Sequence, residues 1–441
     1  MRVTPTRKRI ATVVRDQLLN EETLARAWLS GAWRRIEPVD TVIEVIYPGR
    51  RKRSSGPDFV DAVVNIAGRR LTGAIEIHLD AGSWHTHQHH LDPAYNDTIL
   101  HVVLNARPNS PTVTAEGRIV PQVILPLPAL ASKATTEHFN FPCRNGKNIL
   151  SVIKWGGMAR FEFKSRLFLA NLRLQPPDEV IYCGIASALG YMENQTPMRA
   201  LAEAMTLATI RNSGLDRRPD LLEALMLRNA GLLTELSAST DPEAYRLWRL
   251  LPNAINMPAM SRGQWHFARV RPANSPPRRL AALTHLINRH RTAWLCAGLL
   301  EPLHSDESTL TTLRTIEKNL IVTANDYWSV HSDFGRPLPR PYALLGAERA
   351  SAIAANVILP FAHALGRITG NIRLSRTALK TYEAYPAIGG NEITSYMSQM
   401  LSLPVKTVRQ EQGMIHLYRN WCRDKRCPEC PAASRRPGRG Y

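Results

Sequence analysis

Acidic residues are scarce in this sequence. Its 441 residues include 37 Asp and Glu against 56 Lys and Arg, which gives a formal net charge of +19 at pH 7. A surface with this balance carries a positive field that attracts polyanions. We therefore predict nucleic acid as the partner, with an anionic membrane surface as the weaker alternative.

Long apolar runs are also missing. The longest, AIAANVILPFAHAL at 352–365, is too short to cross a bilayer and contains Asn356 and Pro360. The basic N-terminal stretch lacks the apolar core and cleavage site of a signal peptide. We expect a cytoplasmic protein without a membrane segment. Its 44% hydrophobic residues are enough for a sizeable core and for two or three domains.

Cysteine is limited to six residues, which in a reducing cytosol are free, metal-bound or catalytic rather than paired in disulfides. Cys183 and Cys296 fall in apolar helical runs and are expected in the core. The tail WCRDKRCPECP places three more at 422, 427 and 430, and Cys143 lies at the junction of two regions of different texture. Cys143, Cys422, Cys427 and Cys430 can form a site for Zn²⁺ or a [4Fe-4S] cluster, the alternative being free thiols.

The predicted secondary structure changes near residue 130. Before it, a helical stretch is followed by β-branched strand patterns at TVIEVIY, FVDAVVNI, LTGAIEIHL, TILHVVLNA and RIVPQVILPLP. After it, long amphipathic runs predict a mostly α-helical region. The expected domains are an α/β domain at 1–130, a linker with Cys143 at 131–155, a helical domain at 156–420 and a cysteine-containing tail at 421–441, basic and mobile at its end.

A hairpin brings two acids together in the first domain. If the turn centres on Ala67 and Gly68, then Asp58 lies opposite Glu76 or the next residue. Period-two alternation places Ile75, Ile77 and Leu79 on one face of the second strand, and Glu76, His78 and Asp80 on the other.

Two neighbouring carboxylates repel each other unless a cation compensates them. Mg²⁺ or Mn²⁺ prefers carboxylate oxygen and can activate a bound water against a phosphodiester. The alternative is a solvated strand face on which Asp58 only caps a turn.

These residues resemble a known pattern. Asp58 after Pro57, then Glu76, Ile77 and His78, is similar to the motif of the PD-(D/E)XK nuclease superfamily, with His78 where lysine is usual. GPDF, EIH, SWHTHQHHLDPAYNDTILHVV, RVRPANSPPRRLAAL and GMIHLYRNWCRDKRCPECP together resemble a bacterial domain-of-unknown-function family, number 2851, that is thought to belong to that superfamily.

The resemblance implies a restriction-endonuclease-like αβββαβ core. It implies that Asp58 and Glu76 are metal ligands, that the carbonyl of Ile77 is a third ligand, and that His78 orients or deprotonates the attacking water. It also implies a glutamate from the first helix, for which Glu22 is the candidate, with Glu21 next to it. A charge that favours the helix N-terminus is the alternative role for Glu22. The four cysteines resemble the cluster of iron-sulfur nucleases, although the lone cysteine there precedes the nuclease motifs.

The segment SWHTHQHHLDPAY follows the proposed metal strand directly. If it is extended, His85, His87 and His89 point the same way, which suits zinc or manganese. In a nuclease, these residues can instead contact phosphate or protonate the leaving group. We favour His85 and His87 as functional residues and Tyr95 less so. We expect His90 in an exposed loop and His101 in the core.

Two basic stretches are candidates for contact with nucleic acid. The first, Arg50, Arg51, Lys52 and Arg53, leads into Asp58. The second lies in HFARVRPANSPPRRLAAL, where Arg269 and Arg271 precede Arg278 and Arg279, and arginines so spaced can clamp phosphates. A solvated loop is the alternative for the first stretch, and ion pairs with neighbouring helices for the second.

The sequence predicts a metal-dependent nuclease that hydrolyses phosphodiester bonds in DNA or RNA. The first alternative is a non-catalytic nucleic-acid-binding module on a degenerate nuclease fold, suggested by the missing lysine. The second is a zinc-dependent hydrolase that uses the histidine-rich segment.

Overall fold

The computed structural model describes residues 20–30, 35–36, 43–52, 56–106, 111–125, 143, 148–251, 260–268 and 270–433. The chain forms two compact units. Unit 1 is Met1–Val152, Asn391–Pro404 and Leu417–Tyr441, and unit 2 is Ile153–Gly390 and Val405–His416. The predicted order, an N-terminal region with a sheet and then a mostly helical part, is confirmed. The predicted boundaries followed composition along the chain, whereas unit 1 also includes two segments after residue 390.

The strands are β1 Arg35–Ile36, β2 Ile43–Tyr47, β3 Arg50–Arg51, β4 Phe59–Ile66, β5 Arg69–Asp80, β6 Thr98–Asn105, β7 Thr112–Val113, β8 Ile119–Val120, β9 Gln122–Ile124, β10 His331–Asp333 and β11 Arg336–Pro337. The helices are α1 Glu21–Ser30, α2 Ser83–Thr86, α3 Ile149–Leu172, α4 Pro177–Leu189, α5 Gln195–Ala204, α6 Leu207–Asn212, α7 Pro219–Asn229, α8 Glu235–Thr240, α9 Pro242–Trp248, α10 Pro276–Arg289, α11 Leu295–Leu300, α12 Thr309–Leu320, α13 Tyr327–Val330, α14 Ala347–Ile353, α15 Leu359–Ile368, α16 Ile372–Ala384, α17 Glu392–Leu401 and α18 Val408–Leu417.

A mixed sheet is the centre of unit 1. Among the described residues, seven strands form it in the order β1-β2-β4-β5-β6-β9, with β3 paired to β4. Strands β1 to β5 pair antiparallel, whereas β6 lies parallel to β5 and β9 parallel to β6. The predicted last strand is interrupted at Pro121, which separates β8 from β9 because proline cannot donate a ladder hydrogen bond.

Helix α1 packs on one face of this sheet. Asn20 caps it, since its Oδ1 accepts a hydrogen bond from the Thr23 amide at 2.9 Å. Its buried Leu24 and Trp28 belong to the same apolar core as Phe59 and Ile75. The Trp28 indole N–H also donates to the Pro48 carbonyl at 2.8 Å, which satisfies the one polar group of a fully buried side chain.

The late segments of unit 1 pack against its early strands. Glu392 accepts a hydrogen bond from Arg50 at 2.8 Å, and the Tyr396 and Tyr47 hydroxyls are 2.5 Å apart. Tyr418 donates to Asp61. These contacts connect β2, β3 and β4 to residues more than 340 positions later in the chain.

Unit 2 is a helical assembly with one large apolar core. Helices α3 and α18 cross at glycines: a Cβ at Gly157 would overlap the Arg409 carbonyl, and one at Gly413 would overlap the Ile153 carbonyl. The apolar run at 352–365 lies in the continuous helix Ala347–Ile368. With 22 residues, this helix is long and apolar enough to cross a membrane, although 67% of its most apolar window is buried inside the protein. The expectation concerned only the 352–365 run, which the flanking residues extend into this longer helix.

Candidate metal centre

The β4–β5 hairpin has the predicted register. Ala67 and Gly68 form its turn, both with positive φ (+49° and +80°), as a two-residue turn between twisted strands requires. From the Ile66–Arg69 pair next to the turn, the two strands keep one pairing register as far as Ala62. The register then shifts by one residue before Phe59. Asp61 lies in this irregularity with φ +60°, a conformation that non-glycine residues rarely adopt.

The register shift places the two acids side by side. The Asp58 amide donates to Glu76 Oε2 at 2.9 Å, and the Ile77 amide donates to Asp58 Oδ2 at 3.1 Å. Each carboxylate therefore binds the backbone of the other strand. The predicted alternation is also present, since Ile75 and Ile77 enter the apolar core while Glu76 and His78 lie among polar and aromatic side chains on the other face.

Burial changes the protonation of both acids. Glu76 is only 6% exposed. Burial raises the pKa of Asp58 to about 7, and the charge of Glu76 adds to the rise. Burial likewise raises the pKa of Glu76 to about 8. The pair is thus held without enough positive charge nearby to keep both carboxylates ionised at neutral pH.

Three imidazoles adjoin this pair. His78 Nε2 lies 3.6 Å from Glu76 Oε1, and His89 Nε2 lies 3.4 Å from the same oxygen. His87 Nδ1 is 3.2 Å from His78 Nε2. Among the described residues, His78, His87 and His89 are the one group of three or more potential metal ligands whose donor atoms all lie within 4.8 Å of one another.

The loop after β5 brings the histidines together without being extended. Helix α2 is one turn long, Gln88 takes a left-handed conformation (φ +61°), and two 3₁₀ turns follow at His89–Leu91 and Pro93–Tyr95. Asp92 caps the second turn by accepting from the Ala94 amide, as its sequence context predicts. The reversal at Gln88 turns the chain back, so that His89 stacks on Tyr95 with ring centroids 3.9 Å apart.

Behind His78 lies a chain of buried polar groups. His78 Nδ1 is 2.9 Å from His101 Nε2, and His101 Nδ1 is 2.7 Å from the Thr112 hydroxyl. Burial lowers the pKa of His78 to about 3 and that of His101 to about 4, with neighbouring histidines adding to both shifts. Both rings are therefore neutral at physiological pH, so His78 does not supply the fixed positive charge of a lysine.

The predicted histidine set differs from the observed one. His85 is directed away from the cluster, with its Nε2 3.1 Å from the Pro111 carbonyl and its ring tilted against His90. The segment is helical where His85 lies, so the expected extended spacing does not apply. His87 and His89 of that set lie in the cluster, and His101 is buried as expected but its Nε2 is 2.9 Å from His78 Nδ1. The approach of His87 and His89 to His78 depends on the helical turn and on the reversal at Gln88 rather than on the extended spacing.

The first-helix acids have different surroundings. Glu22 is bound by Arg51 through two hydrogen bonds and by Arg26 through one. Chiefly because of Arg51, the pKa of Glu22 falls to about 2. The charge of Glu21 instead reaches Asp58 and Glu76, where it contributes to their raised pKa values.

Several of the basic residues predicted to contact nucleic acid are already paired with acids of the protein. Arg50 bonds to Glu392 and Arg51 to Glu22. Lys52 is half-buried and Arg271 is exposed, whereas Arg53 and Arg269 lie outside the described residues. The buried Arg278 and Arg279 donate to backbone carbonyls, including those of Trp328, Tyr342 and Leu344, so they support the fold.

The four predicted cysteines converge in unit 1. All six cysteines are free. Burial raises the pKa of Cys143 to about 11, and the charges of Cys430 and Cys427 add to the shift. Burial also raises the pKa of Cys422 above the usual range, with contributions from Cys430 and Cys143. Burial raises the pKa of Cys430, and the backbone amides of Ala432 and Ala433 oppose that rise.

Lys425 is half-buried, with its Nζ buried beside these thiols. Burial lowers its pKa to about 7, while the charges of Cys422 and Cys427 oppose that shift. Its Nζ lies 3.2 Å from the centroid of the Tyr47 ring. Cys183 and Cys296 lie apart from this cluster, in or against the core of unit 2, as predicted.

Comparison with known proteins gives a family and no activity. No curated protein and no solved structure matches the chain significantly. The model of a family described as "protein of unknown function (DUF2851)" matches residues 36–389, which include the acids and histidines of the centre but not Cys422, Cys427 or Cys430. Because this match covers well over half of the chain, the protein belongs to the DUF2851 family.

Proposed function

We propose that unit 1 is a Mg²⁺- or Mn²⁺-dependent nuclease of the PD-(D/E)XK kind, which hydrolyses phosphodiester bonds in DNA or RNA. The observation that carries this proposal is the Asp58–Glu76 pair, two carboxylates held side by side by each other's backbone amides. A divalent cation between them would offset the burial that raises the pKa values of both acids, and the charge of Glu76 that adds to the rise at Asp58.

The order of elements supports the αβββαβ comparison. Helix α1, strands β2, β4 and β5, the helical turns after Asp80, and strand β6 follow one another as in such a core. The connection between β5 and β6 is shorter here, with a one-turn helix and two 3₁₀ turns.

The residues around the acids have separate tasks in this proposal. Asp58, Glu76 and the Ile77 carbonyl would hold the cation. A bound cation would supply charge that favours ionisation of a water and stabilises the phosphate. His78 would orient the attacking water or accept its proton as the water oxygen bonds to phosphorus. The P–O ester bond then breaks, and the leaving oxygen takes a proton from solvent.

The substrate class rests on charge. The net charge of +19 favours a polyanion, and the exposed Arg271 and half-buried Lys52 are among the candidate phosphate contacts. Arg50 and Arg51 would reach a phosphate only by leaving Glu392 and Glu22.

The test is cleavage of labelled single- and double-stranded DNA and RNA with Mn²⁺, Mg²⁺ or EDTA. Glu76→Gln should abolish cleavage while binding is kept. Glu44→Gln, which changes an exposed acid of the same sheet, is the matched control and should cleave like wild type. Cleavage that persists in Glu76→Gln would refute the assigned site.

Two other functions have an observation in their favour. The neutral His78, where a lysine charge is missing, favours a non-catalytic module that binds nucleic acid, and binding without cleavage under every condition would support it. The three clustered imidazoles favour a zinc-dependent hydrolase with another substrate. Loss of metal from His87→Ala, in a protein that does not cleave nucleic acid, would support that reading.

We also propose that Cys143, Cys422, Cys427 and Cys430 bind Zn²⁺ or a [4Fe-4S] cluster. The charges of thiols in this set add to the raised pKa values of Cys143, Cys422 and Cys430, so the side chains are neighbours, and a metal ion that binds thiolates would offset the burial that raises those values. Sulfurs around one zinc ion lie about 3.8 Å apart, given a Zn–S distance of about 2.3 Å. Among the described residues no three cysteine sulfurs come within 4.8 Å of one another, so the wider cluster fits better.

Metal, iron and sulfide analysis of anaerobically purified protein tests this second site. Cys427→Ser should lose the metal, whereas Cys183→Ser, a cysteine of unit 2, should keep it. An equal metal content in the two variants would refute the cysteine site.

A further inference from the structure

We propose that His78, His87 and His89 bind a second metal ion, a late first-row divalent ion such as Zn²⁺, and that Glu76 is shared between this ion and the one at Asp58. This inference deepens the proposed function, because Glu76 belongs to both sites. It replaces the set expected from sequence, in which His85 stood in the place that His78 takes in the structure.

The separations between donor atoms fit a single ion. Ligands at about 2.0–2.1 Å from a tetrahedral zinc ion lie about 3.4 Å from one another. The observed separations are 3.2 Å between His87 Nδ1 and His78 Nε2, 3.4 Å between His89 Nε2 and Glu76 Oε1, and 3.6 Å between His78 Nε2 and Glu76 Oε1. The three histidine donor atoms all lie within 4.8 Å of one another, and Glu76 Oε1 adjoins those of His78 and His89, so side-chain rotations that shorten the remaining separations would bring the ligands around one ion.

The outer contacts of His78 are those of a metal ligand. A metal-bound histidine usually donates its other ring N–H to a fixed acceptor, which sets its tautomer and orientation. His78 Nδ1 has such a partner in His101 Nε2, and His101 is in turn held by the Thr112 hydroxyl. Gln122 donates to that hydroxyl at 3.1 Å, so the arrangement extends to β9.

Aromatic packing fixes the second ligand. His89 is 9% exposed, stacks on Tyr95 and meets the edge of the fully buried Trp84, with ring centroids 5.4 Å apart. His87, by contrast, is exposed, which leaves a path for the ion and an open side for water or substrate. A closed side and an open side are typical of a catalytic rather than a structural metal site.

The ligand type selects the metal. Imidazole nitrogen suits zinc, iron, nickel and copper, whereas Mg²⁺ prefers oxygen. Glu76 faces both ways, because Oε2 accepts from the Asp58 amide while Oε1 faces His78 and His89. In this arrangement His78 acts as a ligand rather than as a base. Two adjacent ions can stabilise the attacking and the leaving oxygen of a phosphodiester.

The experiment measures metal binding directly. Metal-stripped full-length protein is titrated with Zn²⁺, Co²⁺ and Mg²⁺, and X-ray absorption at the zinc edge separates nitrogen or oxygen ligands at about 2.0–2.1 Å from sulfur ligands at about 2.3 Å. This separation matters because the cysteines can also bind zinc. The variants are His87→Ala and, as the matched control from the same loop, His85→Ala.

The expected result is one zinc ion with nitrogen and oxygen ligands, bound much more tightly than Mg²⁺. His87→Ala, which changes an exposed side chain and should not disturb folding, should weaken this binding by more than about 100-fold. His85→Ala should bind like wild type. His101→Gln should weaken binding about 10- to 100-fold, as loss of an outer-shell partner does. Equal affinity in His85→Ala and His87→Ala, or sulfur ligands alone, would overturn the inference.

Asp58→Asn separates this inference from the proposed function. Cleavage lost with the nitrogen-bound zinc retained supports both. Zinc bound through His87 in a protein that never cleaves nucleic acid supports the histidine site and refutes the nuclease. Metal-dependent cleavage in a protein whose His87→Ala variant binds zinc like wild type refutes the histidine site alone.

Discussion

Each unit contains a glutamate with a raised pKa near a histidine, but the two surroundings differ in charge. In unit 2, Glu223 lies in a cavity of about 200 Å³ and accepts a hydrogen bond from the Trp328 indole at 2.5 Å. Burial raises its pKa to about 7. In the same cavity, His285 is bonded to Asp326 at 2.9 Å, which raises the pKa of His285.

The cavity in unit 2 contains a permanent cation of its own. Arg246 joins His285 there, bonded to Glu243 at 2.7 Å. Around Glu76, by contrast, burial keeps His78 and His101 neutral, and Arg51 is held by Glu22. The difference explains why we assign an external cation to the Asp58–Glu76 centre and none to the Glu223 cavity.

The largest expected effect comes from neutralising each glutamate in turn. Glu76→Gln should lower metal-dependent cleavage about 1,000-fold, because several kcal/mol of metal-assisted stabilisation are lost and each 1.36 kcal/mol is tenfold in rate. Glu223→Gln should leave the rate within about threefold. Single-turnover cleavage assays measure the rates of both variants. Equal losses of rate would show that Glu76 is no more important for cleavage than Glu223.

Metal binding at the Asp58–Glu76 centre should stabilise the folded protein, and the Glu223 cavity should contribute nothing to this gain. At a concentration 100 times its dissociation constant, an ion bound only by the folded protein adds about 2.7 kcal/mol to the free energy of unfolding. Thermal melts with and without Mn²⁺ should show this gain in wild type and in Asp326→Asn, but not in Asp58→Asn. A gain retained in Asp58→Asn would place the ion elsewhere.

The metal-free protein should lose stability as pH rises from 6.5 to 8. The folded-state pKa values of Asp58 and Glu76 are raised, so the stability that their protonation contributes is lost as pH passes about 7 and 8, a loss of about 2 kcal/mol. The lowered pKa values of His78 and His101 act in the opposite sense, but only below about 6.5.

Urea unfolding at several pH values in EDTA measures this dependence. Glu76→Gln should flatten the decline between pH 6.5 and 8. The same slope in the variant and in wild type would show that other groups cause it.

The smallest effect should follow loss of the exposed acid. Glu22 is 45% exposed as a side chain and paired with Arg51 and Arg26. Surface ion pairs contribute about 0–1 kcal/mol, so Glu22→Gln should change the free energy of unfolding by less than about 1 kcal/mol. A cleavage defect as large as that of Glu76→Gln would instead make Glu22 part of the centre.

The local parts of the centre could be predicted from sequence. Strand alternation and a glycine turn determine where Asp58, Glu76 and His78 lie, and neither depends on distant residues. His89 depends on one left-handed residue, Gln88, and no residue type there signals it. His101 lies on β6, so its contact with His78 required the sheet order β5-β6, and Thr112 is linked to His78 only through His101.

The set of chain segments that form unit 1 could not be predicted in the same way. Amphipathic periodicity identified helices after residue 130, but it does not say against which core each one packs. Helix α17 reads like its neighbours in sequence, yet Glu392 and Tyr396 contact Arg50 and Tyr47. Such pairings are tertiary, and no local pattern specifies them.

Because Glu392, Tyr396 and Tyr418 contact the early strands, unit 1 can finish folding only late in synthesis. Their partners Arg50, Tyr47 and Asp61 are synthesised 342 to 357 residues earlier. The nascent sheet must therefore wait for nearly the whole of unit 2 before it gains these contacts. A product released before residue 391 would lack all three, and it would expose the side of the sheet that they normally cover.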